Sequence, residues 1–167
     1  MNLHRLIALA IISTPLLYAP MLAQTPAPAP DAQAKKAAAG GVRTVEIVGT
    51  EQMKYDVTTI PAKRGEQLRV RLTTKGTMPK IVMAHNVVVL KLGTDQVKFI
   101  TAGAQARETD FISNDMKEQV IAKTPLAGAG ETVEVTFKVP NVAGEYPFVC
   151  TFPGHYQAGM RGSLAVK

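Results

Sequence analysis

The segment YPFVCTFPGHYQAGMRGSLAVK, residues 146–167, carries two rhythms at once. Tyr146, Phe148 and Cys150 fall on one face of a strand, because side chains alternate across a pleated chain. Leu164 and Val166 repeat that alternation after an interruption. Pro153, Gly154 and Gly159 bend the chain between them, so two strands flank a hairpin-forming loop. The loop holds a thiol, an imidazole and a thioether, Cys150, His155 and Met160, within eleven positions.

Working outward, the same period-two pattern recurs at Thr44 to Ile47, Leu68 to Leu72 and Thr132 to Val139. His85 to Leu90 is a β-branched run, as a strand buried on both faces would be. Turn signals separate these segments at Lys63-Arg64-Gly65, Gly76 with Pro79, Gly128-Ala129-Gly130, and Pro140-Asn141 with Gly144. Short strands with turns about every 8–12 residues point to an all-β sandwich or barrel. One segment departs from the pattern. From Thr94 to about Arg107, Val97, Ile100 and Ala104 recur at helical spacing, with Thr94 or Asp95 as the cap, and Gly103 weakens that helix.

Residues 1–23 have the form of a secretory leader: Arg5 gives a positive start, Leu6 to Leu17 is largely apolar, and small residues follow at Ala19 and Ala23. Pro15 and Pro20 interrupt the apolar run, which falls short of the ~20 residues a membrane span needs. Residues 24–41 form an Ala/Pro/Lys-rich tether with almost nothing to build a core from. Residues 42–167 are one domain's worth of chain. The formal charge is +6, or +5 once Arg5 leaves with the leader (18 basic minus 13 acidic side chains). The basic residues are scattered among acids without interleaved aromatics, which gives nucleic-acid binding no support.

An exported chain with a single cysteine cannot brace its own fold with a disulfide. Cys150 is therefore a buried inert thiol, an intermolecular bridge or a metal thiolate. Taken singly, Cys150 and Met160 are ordinary core residues and a lone histidine is ordinarily a satisfied one. The set is more specific. Outside the leader the chain has two histidines and one cysteine, and all three belong to it: His85 on a distant strand, with His155 and Cys150 on the loop. Two imidazoles, a thiolate and a weak methionine describe a type-1 copper site. Zinc is the main competitor, but it prefers four strong ligands or an open water position, and methionine tips the choice to copper.

These residues resemble the cupredoxins, and within them the azurins and auracyanins. The resemblance runs from about Val42 to Lys167 and is carried by Met83-Ala84-His85-Asn86, by Val120 to Phe137, and by Cys150-Thr151-Phe152-Pro153-Gly154-His155. It implies a cupredoxin Greek-key β-barrel or sandwich of about eight strands with one short external helix. It implies one copper, cycling between Cu(I) and Cu(II), in a plane of His85, Cys150 and His155 with Met160 axial. It also implies that the Asn86 side chain ties its strand to the loop at Thr151, and that N–H groups near Asn86 and Phe152 point at the Cys150 sulfur. Two departures stand out. Four residues separate His155 from Met160, against three in azurins, and Ala84 replaces a glycine whose carbonyl is a weak axial contact there. That contact is left open here.

The function so implied is an exported, periplasmic blue-copper electron carrier rather than an enzyme. His155 would offer its outer ring edge at the surface, amid an apolar apron of Met78, Pro79, Met83, Phe152, Pro153 and Ala158. The partners would be redox proteins such as c-type cytochromes or copper and haem oxidoreductases, met transiently by a monomer with no membrane span. A multicopper oxidase or nitrite reductase fragment would need histidines that this chain does not have. The alternative is a periplasmic copper-binding or trafficking protein, and a copper-free binding domain is the third reading.

Overall fold

The period-two segments form strands because alternation lets each bury one side chain row while its polar row stays wet. The computed structural model describes residues 41–167. The leader assigned to residues 1–23, and all but the last residue of the tether assigned to 24–41, lie outside the described residues. Among the described residues nine strands form: β1 (Arg43–Thr50), β2 (Lys54–Tyr55), β3 (Thr59–Ala62), β4 (Gln67–Lys75), β5 (Val88–Leu90), β6 (Val120–Lys123), β7 (Thr132–Lys138), β8 (Gly144–Val149) and β9 (Arg161–Val166). Counting the two-residue β2, that is one more than the eight or so implied above.

The strands make two sheets, ordered β2-β1-β4-β7 and β3-β9-β8-β5-β6. Each contains one parallel pair, β1 with β4 and β3 with β9, and the rest are antiparallel. The chain therefore crosses repeatedly from sheet to sheet, as a Greek-key sandwich requires. Ile47, Leu68, Val70 and Leu72 from one sheet meet Ile60, Val89, Phe148 and Leu164 from the other in a continuous core. Removing each such side chain from water contributes roughly 1.5–3 kcal/mol. No helix among the described residues is long and apolar enough to cross a membrane.

The one α-helix among the described residues, α1 (Gln96–Gly103), is shorter than the 94–107 span expected and buries a different face. Asp95 is its cap, accepting from the Lys98 N–H at 3.0 Å. Phe99, Ile100 and Gly103 face inward, whereas Val97 is 62% exposed and Ala104 is exposed beyond the last turn. The reason is Gly103, where a Cβ would stand 2.0 Å from the Phe111 carbonyl oxygen. The residue that weakens helix propensity is thus the one that lets α1 dock.

Two features position the site. His85 lies ahead of the β5 ladder and is held by a bridge to Ala127, with N–H to carbonyl distances of 2.9 and 2.8 Å in the two directions. At the other end of the core, the buried Tyr146 hydroxyl reaches back to the Val142 carbonyl at 2.9 Å, a corner bond that fixes the entry to β8. Tyr146→Phe is expected to lower unfolding free energy by about 1 kcal/mol, measured by chemical denaturation, with metal binding unchanged.

Candidate metal centre

Three side chains from two distant segments of the chain converge. His85 comes from the segment before β5, Cys150 from the end of β8, and His155 from the loop between β8 and β9. The loop closes on itself: the Cys150 N–H donates to the Met160 carbonyl at 3.1 Å and the Met160 N–H to the His155 carbonyl at 2.9 Å. Gly154 and Gly159 supply the left-handed turns, with φ of +85° and +96°, that a side chain would oppose.

The donor atoms of His85, Cys150 and His155 all lie within 4.8 Å of one another. The two Nδ1 atoms are 3.1 Å apart, and the Cys150 Sγ is 3.4 Å from the His155 Nδ1. All three residues and Met160 are buried. Met160 flanks the same gap, because a Cβ built on Gly49 would lie 2.9 Å from the His85 ring and 3.1 Å from the Met160 methyl. Gly49 in β1 is therefore a cradle residue whose missing side chain makes the room.

Burial pushes the His85 imidazole down to about 4, against the Thr50 carbonyl, which faces the ring and favours its proton. That carbonyl accepts from the Met53 N–H at 2.9 Å, and His85 Nε2 stays buried without a partner. Burial, followed by the neighbouring His85, holds His155 at about 4 as well. Both rings are thus neutral at pH 7, the form that ligates metal. Burial raises the Cys150 thiol to about 11, while the N–H groups of Asn86 and Phe152 and the Tyr55 hydroxyl favour the thiolate. A cation beside the sulfur replaces the thiol proton outright. Two neutral imidazoles, a soft sulfur with donors already aimed at it, and a thioether fit copper better than zinc.

Asn86 Nδ2 donates to Thr151 Oγ1 at 2.8 Å, and the Thr151 N–H returns to Asn86 Oδ1 at 2.9 Å. Thr151 Oγ1 also donates to the Asp110 carbonyl at 2.6 Å. Ala84 is buried directly ahead of His85. Of the apolar apron, Met78 and Pro79 are exposed on one segment and Pro153 on the other, while Met83, Phe152 and Ala158 are half-buried. His155 differs from expectation. It is only 1% exposed, because the Phe152 ring packs against it at 4.8 Å between centroids and Phe111 packs on Phe152 in turn.

Sequence reasoning missed five residues. Gly49 had a signal, since a glycine inside a strand marks close approach of another group. Ile81 and Val82, 66% and 57% exposed, extend the apolar run between Met78 and Met83. Tyr55 had none. The Glu51 carboxylate holds this segment by accepting from the N–H groups of Thr77 and Met78 at 2.6 and 2.9 Å.

The model of the copper-binding proteins of the plastocyanin/azurin family matches residues 42–167. The chain is 38% identical over 128 residues to azurin of Pseudomonas aeruginosa, covering 74% of this chain and 84% of that one. It is 37% identical over 132 residues to azurin of Bordetella pertussis, covering 72% and 81%. Among solved structures it is similar to auracyanin A, a "blue" copper protein of Chloroflexus aurantiacus, with a TM-score of 0.67 and 34% identity over 76% of this chain and all of that one. The chain belongs to the plastocyanin/azurin family of copper-binding proteins, the cupredoxins, and is a blue copper protein with one type-1 copper as its cofactor.

Proposed function

We propose that the protein is an exported carrier of single electrons, with its copper held by His85, Cys150, His155 and Met160. The observation that carries this reading is the convergence of donor atoms from three buried residues within 4.8 Å of one another. A frame that already holds its donors need not rearrange much between oxidation states. When bound, copper supplies the Cu(I)/Cu(II) couple. The chain supplies the rest. Cys150 and the two imidazoles would give strong donors and Met160 a weaker fourth. Asn86 and Thr151 lock the His85 segment to the loop so that the donors keep their spacing. Burial excludes water from all four.

Electrons leave through His155 and the Phe152 ring packed on it, beneath the apron of Met78, Pro79, Met83, Pro153 and Ala158 extended by Ile81 and Val82. Such a surface suits brief encounters of small area with c-type cytochromes or with copper and haem oxidoreductases, and with a monomeric carrier. Export rests on the leader sequence at residues 1–23. A copper-trafficking role would call for donors open to exchange, and these are buried.

Cu(II) added to the protein is expected to give an intense thiolate-to-copper band that a reduced c-type cytochrome bleaches in a second-order reaction. A band without electron exchange, with cytochrome or between copies of the protein, would remove the carrier reading. Val82→Lys places a charge in the apron and is expected to slow self-exchange about tenfold at low salt while leaving the visible spectrum alone, measured by NMR line broadening.

A further inference from the structure

Tyr55 is a buried phenol that the fold alone does not require, since phenylalanine would fill the same space. It sits on β2 opposite Gly49 of β1, the cradle residue against His85 and Met160. Its ring packs on Phe148, two residues before Cys150, at 5.7 Å between centroids. Its hydroxyl donates to the carbonyl of Asn86. That carbonyl lies ahead of the β5 ladder, so the phenol supplies the donor that a neighbouring strand would otherwise give.

Asn86 is the junction of the site. Its N–H faces the Cys150 sulfur, its side chain clasps Thr151, and its carbonyl is the group Tyr55 holds. The phenol oxygen also stands beside the sulfur, whose charge, second to burial, pushes the Tyr55 hydroxyl well above the ordinary tyrosine range. Donors facing a thiolate draw electron density from it. They weaken its hold on Cu(II) more than on Cu(I) and so raise the reduction potential.

We infer that Tyr55 is a positioning residue for the Cys150 sulfur, its hydroxyl fixing the Asn86 backbone so that the Asn86 N–H stays aimed at the thiolate. The inference rests on the copper–thiolate reading above. Phenylalanine at this place keeps the ring, frees the carbonyl and removes the O–H.

The test compares the copper-loaded full chain with its Tyr55→Phe variant by redox titration. The expected result is a fall of about tenfold in the ratio of Cu(I) to Cu(II) affinity, about 59 mV for a one-electron couple. Tyr146→Phe, which loses a hydroxyl bond at the other end of the core, is expected to leave the potential unmoved. A blue band in both proteins with the same potential overturns the inference alone. Absence of the band from the unsubstituted protein overturns the ligand assignment and this inference with it. Two measurements stand if Tyr55→Phe fails to load. Incorporating 3-fluorotyrosine into the unsubstituted chain makes the hydroxyl a stronger donor and is expected to raise the potential, and no rise overturns the inference. In the metal-free proteins, amide exchange at Asn86 is expected to quicken in Tyr55→Phe, and identical exchange overturns the positioning role.

Discussion

Cys150→Ser is expected to abolish the intense visible band and to weaken Cu(II) binding by more than about a hundredfold. Outer hydrogen-bond partners of a metal ligand are alone worth up to about that factor. The thiolate is the only anionic donor in the set, and serine replaces it with a hydroxyl that stays protonated at neutral pH. The two groups aimed at the sulfur, the N–H of Asn86 and of Phe152, would then meet a neutral oxygen. They satisfy it as an acceptor, so the metal-free variant should remain folded, less stable by about 1–2 kcal/mol from the buried hydroxyl. Visible absorption and EPR during Cu(II) titration measure the first effect, and chemical denaturation of the metal-free proteins measures the second. Retention of the parent band would remove Cys150 from the site.

Gly49→Ala is expected to disturb the metal centre and the stability of the fold together. The new carbon would stand 2.9 Å from the His85 ring and 3.1 Å from the Met160 methyl, closer than side chains tolerate. His85 cannot simply retreat, because its backbone is bridged to Ala127 and its neighbour Asn86 is clasped to Thr151. Overpacking of this kind costs about 1–3 kcal/mol. The methionine is the softer of the two neighbours and should yield further. The copper spectrum is therefore expected to shift with the Met160 distance, alongside a fall in thermal midpoint of roughly 8 °C for a loss near 2 kcal/mol. A variant with unaltered spectrum and midpoint would show that the gap at Gly49 is looser than its geometry implies.

Much of the fold is legible in the sequence because alternation is a local property. Leu68, Val70 and Leu72 announce their strand without reference to any other part of the chain. The loop donors are legible for a different reason: cysteine and histidine are so scarce here that the ones present have to be explained together. The helix face was not. Val97, Ile100 and Ala104 make as good a stripe as Phe99, Ile100 and Gly103, and the choice is made by the Phe111 carbonyl, which approaches from outside the helix. Tyr55 was invisible because its meaning depends on Asn86, which folding brings to it from the segment ahead of β5. The burial of His155 was missed likewise, since the stack of Phe111 on Phe152 joins two segments with no shared pattern.

The uneven origin of the four donors has a thermodynamic consequence. Cys150, His155 and Met160 lie within eleven residues, so an unfolded chain still contains a short peptide able to chelate copper. Only His85 and the surrounding dry walls are lost when the structure opens. Ligation therefore protects the folded state not by its whole binding free energy but by the ratio of two affinities, that of the fold over that of its own melted loop. Each factor of ten in that ratio adds about 1.4 kcal/mol. A tightly held ion and a modest gain in heat resistance are then compatible, and the difference between them measures what His85 and the enclosing barrel contribute.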